Sequence, residues 1–143
     1  MLEVTRAIEW DMAHRLASHQ GLCRNPHGHR YRLEVTVARD GADDDGNMVF
    51  DLKDLAALMR EHVHDVLDHA FMISAHDQVM RSFFEAHQHE GFRVVTVDAE
   101  PTAETILHWC RQQLEPHLPA DVVLAHLRVC ESPVSWADWS PSA

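Results

Sequence analysis

The sequence predicts an α+β domain built on an antiparallel sheet, and three observations predict it. Two stretches near the start, 2–14 and 27–37, alternate apolar and polar residues with period two. Two later stretches, 52–67 and 103–114, carry apolar residues at helical spacing. Strand-like and helix-like stretches follow one another without βαβ regularity and without internal repeat, which argues against a parallel wound sheet.

The first strand sets Leu2, Val4, Ile8, Trp10 and Met12 on one parity, broken only by Arg6, against Glu3, Thr5, Glu9 and Asp11 on the other; His14 continues the apolar face. The second sets Tyr31, Leu33, Val35 and Val37 against Arg30, Arg32, Glu34 and Thr36, with His27 and His29 on the apolar side. "RDGADDDG" has the composition of a loop, and "NMVF" reads as a short strand leading into Asp51. Asp51 is a good N-cap, and Asp54 lies in the first turn, where the helix dipole favours negative charge. Leu52, Leu55, Leu58, Met59, Val63, Val66 and Leu67 then mark a helix ending near "LDHAF". A shorter amphipathic segment over 76–89 offers Val79, Met80, Phe83, Phe84 and His87, with Gly91 as its stop. "FRVVTV" reads as a third long strand. Thr102, after Pro101, caps a second major helix with Ala103, Ile106, Leu107, Cys110 and Leu114 inward. "DVVLAHLRVCES" closes the set as a strand in which Val123, Ala125, Leu127, Val129 and Glu131 share a parity.

At 143 residues the chain reads as a single domain over 1–143. Hydrophobic residues at 45% and charged residues at 24% set aside disorder. Acidic residues outnumber basic ones 23 to 12 and the formal charge is −11, so a general nucleic-acid binder, which needs clustered Lys and Arg, is not expected. No stretch approaches the roughly 20 apolar residues of a membrane span, and the first residues lack a signal-peptide pattern, so the expectation is a cytoplasmic protein with no membrane partner. Cys23, Cys110 and Cys130 are an odd number with no CxxC, which fits reduced thiols, and a metal must then lean on histidine.

"CRNPHGHRY" concentrates the chemistry. In an extended strand His27 and His29 point the same way, with Cα atoms roughly 6.5–7 Å apart, and Gly28 removes a side chain from the opposite face. Imidazoles so placed can converge on one zinc at about 2.0–2.1 Å each. His14, at the end of the preceding strand, supplies a third ligand if the strands pair, and three histidines with an open position is the catalytic zinc pattern. An H-x-H also arises by chance in a chain with 13 histidines; the buried parity, the glycine and His14 together favour the metal. His62 with His64, and His87 with His89, lack those features and read as solvated. Cys23 sits beside Arg24 in a polar loop, where thiolate can form, although a free cysteine is more often a small buried hydrophobe; Cys110 and Cys130 are assigned to packing. Asp68-His69 has the chemistry of a carboxylate that orients a proton-transferring histidine, or of a plain helix-end charge pattern. Glu131 completes an apolar parity, so its carboxylate needs a partner or a ligand.

In order, "WDMAH", "CRNPHGH", "LDHAF", "PTAET" and "VCES" resemble the 6-pyruvoyl-tetrahydropterin synthase and 6-carboxy-5,6,7,8-tetrahydropterin synthase family over about residues 10 to 132. The resemblance implies a tunnelling fold (T-fold): an antiparallel β-sheet with two main helices on one face, subunits joining their sheets into a β-barrel as homo-trimers or homo-hexamers. It implies Zn2+ on His14, His27 and His29, polarising the hydroxyls of a pterin triphosphate substrate. Cys23, with Asp68 and His69, would move protons. Glu131 would anchor the pterin ring, with Thr102 and Glu104 nearby. Arg24, Arg30 and Lys53 are candidates for the triphosphate. Trp10, Met12, Ile73 and Thr105 depart from the family's usual residues, and 74–98 is longer than in compact bacterial members.

The family's branches differ at the thiol. Cys23 precedes His27 by four residues, as in the bacterial carboxy branch, whereas the folate-linked branch usually has Glu there. The expectation is therefore a zinc-dependent lyase that converts 7,8-dihydroneopterin triphosphate to 6-carboxytetrahydropterin with release of acetaldehyde and triphosphate, in queuosine biosynthesis. The alternatives are the pyruvoyl product, a zinc hydrolase, and a non-catalytic pterin binder.

Overall fold

The computed structural model describes residues 1–42 and 46–143. β1 (Glu3–His14) and β2 (His27–Arg39) pair antiparallel along their whole length, from Glu3 opposite Ala38 to His14 opposite His27. Asp43, Asp44 and Asp45 of the expected "RDGADDDG" loop lie outside the described residues. "NMVF" is not a strand: residues 49 and 50 bend into Asp51. Asp51 is the cap foreseen, its carboxylate accepting from the Lys53 amide at 2.7 Å to open α1 (Leu52–Met59). The helix widens into a π-turn at Arg60–His64 and runs on as α2 (Asp65–Leu67).

β3 (Phe71–Ser74), α3 (Gln78–Ala86) and β4 (Val94–Val97) follow. Thr102 caps α4 (Ala103–Leu114), and β5 (Val122–Ser132) and β6 (Ser135–Trp139) end the chain. The sheet order is β4-β3-β1-β2-β5-β6. β1, β2 and β5 are antiparallel as expected, and β6, a strand that the sequence does not predict, extends them antiparallel; β3 joins β1, and β4 joins β3, in parallel, so the sheet is mixed. The reason is local: the helical segment α1–α2 carries the chain back across the sheet before β3 begins, so β3 leaves in the direction of β1. The third long strand expected from "FRVVTV" shortens to its last four residues.

The core lies between one face of the sheet and the two main helices. Trp10, Met12, Tyr31, Leu33, Val35 and Val37 meet Leu55, Met59, Val63, Ile106, Leu107, Cys110 and Leu114 there. β5 departs from its expected parity. Thr36 pairs with His126 but Val37 pairs with Leu124, so Ala125 is an extra residue, a β-bulge. Val122 and Leu124 are buried before it and Leu127 and Val129 after it, leaving Val123 53% exposed. The parity of β5 therefore changes at Ala125, and only its second half, ending at Glu131, has the phase expected from the sequence. Among the described residues no helix is long and apolar enough to cross a membrane.

Candidate active site

His14 and His27 are cross-strand partners, and His29 is two residues further along β2 on the same face. Their ring centroids lie 4.6, 5.2 and 4.9 Å apart, and one nitrogen from each falls within 4.8 Å of the others. The hydrogen bonds on the far sides of two rings fix their tautomers. His14 Nδ1–H donates to the Pro101 carbonyl at 2.7 Å, and His27 Nδ1–H donates to the Asn25 carbonyl at 2.7 Å, because a carbonyl can only accept. Each ring then presents a bare Nε2 lone pair, and these two atoms face each other at 3.0 Å. Two lone pairs cannot bond one another; they need a shared electrophile. His29 Nε2 is buried with no hydrogen-bond partner.

A tetrahedral zinc with nitrogen ligands at its usual distance sets those nitrogens roughly 3.3 Å apart. The facing His14 and His27 atoms stand at 3.0 Å and the third nitrogen within 4.8 Å of both, and the carbonyl partners are the outer contacts that metal-binding histidines require. The donor set therefore fits a divalent metal. Burial holds His14, 1% exposed, below the ordinary histidine range against the opposing pull of the Pro101 carbonyl, so it stands neutral and ready to ligate. The Tyr31 hydroxyl, 3.4 Å from His14 Nδ1, is buried and its pKa is pushed up by that burial, so it stays protonated.

Glu131 lies against the cluster, its Oε1 3.6 Å from His29 Nε2. A second irregularity aims it: Cys130 pairs with Trp136 and Ser132 with Ser135, leaving Glu131 between them. Cys23 is half-buried in a single 3-10 turn, Leu22–Arg24, and its carbonyl accepts from the Leu16 amide at 2.8 Å. It is not one of the three clustered ligands.

Asp68 and His69 come together as foreseen but apart from the cluster. Asp68 Oδ2 sits 2.9 Å from His69 Nδ1, and its Oδ1 accepts from the Asp11 amide at 3.1 Å. Adjacent residues achieve this because His69 adopts a left-handed backbone, φ 60°, a costly conformation for a residue with a Cβ that here is held by the His69 amide donating to the Asp11 carbonyl at 2.7 Å. Burial tends to raise the Asp68 carboxyl, but the Asp11 amide and His69 outweigh it and hold it below the ordinary carboxylate range. His69 is 75% exposed, in a depression on the face of β1 and β2 that carries Asp11, Ala13, Gly28 and Arg30, a depression that also reaches His29. Among the described residues no hydrogen bond or ion pair joins it to the three histidines or to Cys23.

Thr102 is the N-cap of α4, its hydroxyl oxygen accepting from the Thr105 amide at 3.3 Å, directly after the carbonyl that orients His14. Glu104 is exposed on the outside of α4 in a groove with Asp98, Thr105 and His108. Arg30 pairs with Asp11 and Glu9 on the sheet face opposite the core. His62 and His64 are not simply solvated: His62 stacks on His117 with centroids 3.8 Å apart, and His64 Nδ1 lies 3.0 Å from Asp65 Oδ1. Both rings, on the π-turn, are half-buried against these neighbours. Sequence reasoning missed the Pro101 and Asn25 carbonyls and the Tyr31 hydroxyl; main-chain carbonyls leave no residue-type signal.

The comparisons agree with this geometry. The sequence is 35% identical to a 6-carboxy-5,6,7,8-tetrahydropterin synthase of Rickettsia bellii, over 82% of this chain and 83% of that one. It is 27% identical to the enzyme of the same name from Haemophilus influenzae, over 97% and 99%. The fold is shared with an uncharacterized protein of Wolinella succinogenes (TM-score 0.76, 23% identity, 99% and 100% covered) and with a Caenorhabditis elegans 6-pyruvoyl tetrahydropterin synthase (TM-score 0.67, 24% identity, 99% and 96% covered). Residues 3–142 match one family, described as 6-pyruvoyl tetrahydropterin synthase, and the match takes in all three clustered histidines. The chain belongs to the 6-pyruvoyl tetrahydropterin synthase family.

Proposed function

We propose that the chain is a zinc-dependent 6-carboxy-5,6,7,8-tetrahydropterin synthase. It would take 7,8-dihydroneopterin triphosphate and water to 6-carboxytetrahydropterin, acetaldehyde and triphosphate, in the cytoplasm and on a route to 7-deazaguanine nucleosides such as queuosine. The observation that carries the reading is the pair of bare Nε2 atoms on His14 and His27, facing each other at 3.0 Å beside an unpartnered His29 Nε2. The relatives carry the choice of the carboxy branch.

His14, His27 and His29 would hold the ion, and the Pro101 and Asn25 carbonyls fix the first two rings. When bound, zinc supplies a Lewis acid for the hydroxyls of the substrate side chain. Glu131, beside the cluster, would accept from the amino and ring N–H groups of the pterin, with Thr102, next to the carbonyl that orients His14, closer to that site than Glu104, which lies in a separate groove on α4. Cys23 takes and returns a proton at carbon, and His69, held by Asp68, does so at oxygen.

The assembly follows from the sheet. Among the described residues β1 is paired with β3 only at Ala13 and His14, and Asp11 is held by Asp68 and His69, so its stretch 3–10 has an open edge, and β6 offers another. We read these edges as the seams of a trimer or hexamer, in which Asp68 and His69 of one subunit approach the cluster of the next. Light scattering should report one of these sizes; a monomer at micromolar concentration overturns the reading. The reaction is tested by incubating the protein with 7,8-dihydroneopterin triphosphate and weighing the pterin product. The 6-carboxy product with acetaldehyde is expected. A 6-pyruvoyl product moves the chain to the other branch, and metal-dependent phosphate release with an unchanged pterin side chain makes it a hydrolase.

A further inference from the structure

The turn that carries Cys23 has little packing to hold it. None of Leu22–Arg24 is buried, and Leu22 is 87% exposed. What fixes it comes from the other end of the loop and from far along the chain. Arg15 follows His14 directly, and its guanidinium forks onto Asp77, Nε to Oδ2 and Nη2 to Oδ1, both at 2.7 Å. The remaining nitrogen, Nη1, donates to the main-chain carbonyl of Arg24 at 3.4 Å, one residue after the thiol. The Leu16 amide meanwhile holds the Cys23 carbonyl. Successive residues at the start of the loop thus grip successive carbonyls of the turn.

The far end of this chain of contacts is rigid. Asp77 is 3% exposed, and the same Oδ1 that receives Arg15 also accepts from the Met80 amide at 3.1 Å, capping α3. A bidentate contact fixes the plane of a guanidinium, which a lysine in its place cannot reproduce. Nearby, Glu100 accepts from the Ala17 amide at 2.9 Å and the Ser18 amide at 3.3 Å, so the middle of the loop is tied separately, and Arg15 is the side chain that links the turn to a distant element.

We propose that Arg15, clamped by Asp77, is a positioning residue that sets the place of the Cys23 thiol. The inference rests on reading Cys23 as the proton-transferring group. It also gives the segment between β3 and β4 a task at the active site, since the cap of α3 is the fixed end of the strut.

Three variants test it: Arg15→Met, Arg15→Lys and Asp77→Asn, the last keeping an N-cap and serving as the mild case. The readouts are the rate of Cys23 alkylation by iodoacetamide, followed by peptide mass, with zinc content and kcat and KM for 7,8-dihydroneopterin triphosphate. In Arg15→Met the released turn should alkylate several-fold faster, and kcat should fall by about 10–100-fold, the scale of a small misplacement of a reacting group. Zinc and KM should stay within about twofold of wild type. Arg15→Lys should side with Arg15→Met, because it keeps the charge and loses the fork, and Asp77→Asn should move both rates the same way by less.

Alkylation and kcat at wild-type values in all three variants overturn the strut. Zinc lost in proportion to kcat also overturns it, since the contact then serves the metal. If wild type shows no turnover while Cys23 alkylation still responds to Arg15→Met, the strut stands and the proposed reaction fails. If Cys23→Ala abolishes turnover while Arg15→Met changes neither rate, the reaction stands and the strut fails.

Discussion

Asp68→Asn changes one atom and reverses one hydrogen bond. Asp68 serves two different partners, the Asp11 amide at Oδ1 and His69 Nδ1 at Oδ2. The Asp11 amide can only donate, so an asparagine must keep its oxygen there, which turns its NH2 toward His69. Two donors then meet, and the imidazole relieves the conflict by carrying its proton on Nε2 and accepting at Nδ1. The nitrogen left free for chemistry is now the protonated one and cannot act as a base. The side chain keeps its shape and the Asp11 contact, so the fold and the metal cluster should not feel the change. Loss of a correctly presented general base costs about 10²–10⁴-fold in rate. That is about 2.7–5.5 kcal/mol of barrier at about 1.36 kcal/mol per tenfold. The assay is kcat from acetaldehyde release, with zinc content and melting temperature as controls and ¹⁵N NMR of the His69 ring to read its tautomer. Turnover within twofold of wild type, or a ring still protonated at Nδ1, would refute the reasoning.

Other outcomes follow from the same geometry. His27→Ala removes one of the two facing Nε2 atoms and should lose most of the zinc that wild type holds at about one ion per chain; metal analysis of both proteins decides it. Cys23→Ala should lower turnover by about 10²–10⁴-fold while keeping zinc and substrate affinity, whereas Glu131→Gln places a donor against the pterin N–H groups and should weaken binding first, seen by fluorescence titration. The Arg15 contact holds the Asp77 carboxyl below its ordinary 3.8, so the folded state gains stability from it above that pH and loses it as pH falls below 3.8 through the lower folded value. Urea midpoints of wild type and Asp77→Asn, compared at each pH, should differ most at neutral pH and converge in acid; a gap that stays constant would contradict the assignment.

What could be read from the sequence was whatever repeats or whatever names its own chemistry. β1 and β2 showed themselves through about a dozen alternating residues each, and the sequence pointed to His14 coming opposite the His27–His29 pair, while the residue-by-residue register came from the structure. Asp51 and Thr102 were legible because a cap is a local bond between neighbours. β3 was not: four residues, "FMIS", have too few turns of any period to show one, and their partner strand is some sixty residues earlier. β6, "SWADW", mixes apolar and charged residues because it is an edge, with Trp136 half-exposed and Asp138 paired to Arg128. The Arg15–Asp77 fork joins residues 62 apart, and neither residue type announces the other. The cluster was legible as three residues, while the carbonyls that decide which nitrogen faces inward were not.

The extra residue at Ala125 makes β5 a strand of two phases. Its first half packs on even numbers, Val122 and Leu124, and its second half on odd ones, Leu127 and Val129, with Glu131 carried along. Were Ala125 paired like its neighbours, the strand could close the core at one end or aim the carboxylate at the histidines, and not both. Length changes here should therefore be quantised. Loss of Ala125 alone removes the extra residue and leaves Val122, Leu124, Leu127 and Val129 on one face of a regular strand. Loss or gain of a single residue between 126 and 130 moves Glu131 to the charged face beside Arg128, whereas paired changes preserve it. Lineages that lengthen or shorten the strand beyond the bulge while keeping the site should do so two residues at a time, and a lineage that loses the bulge should lose a single residue there.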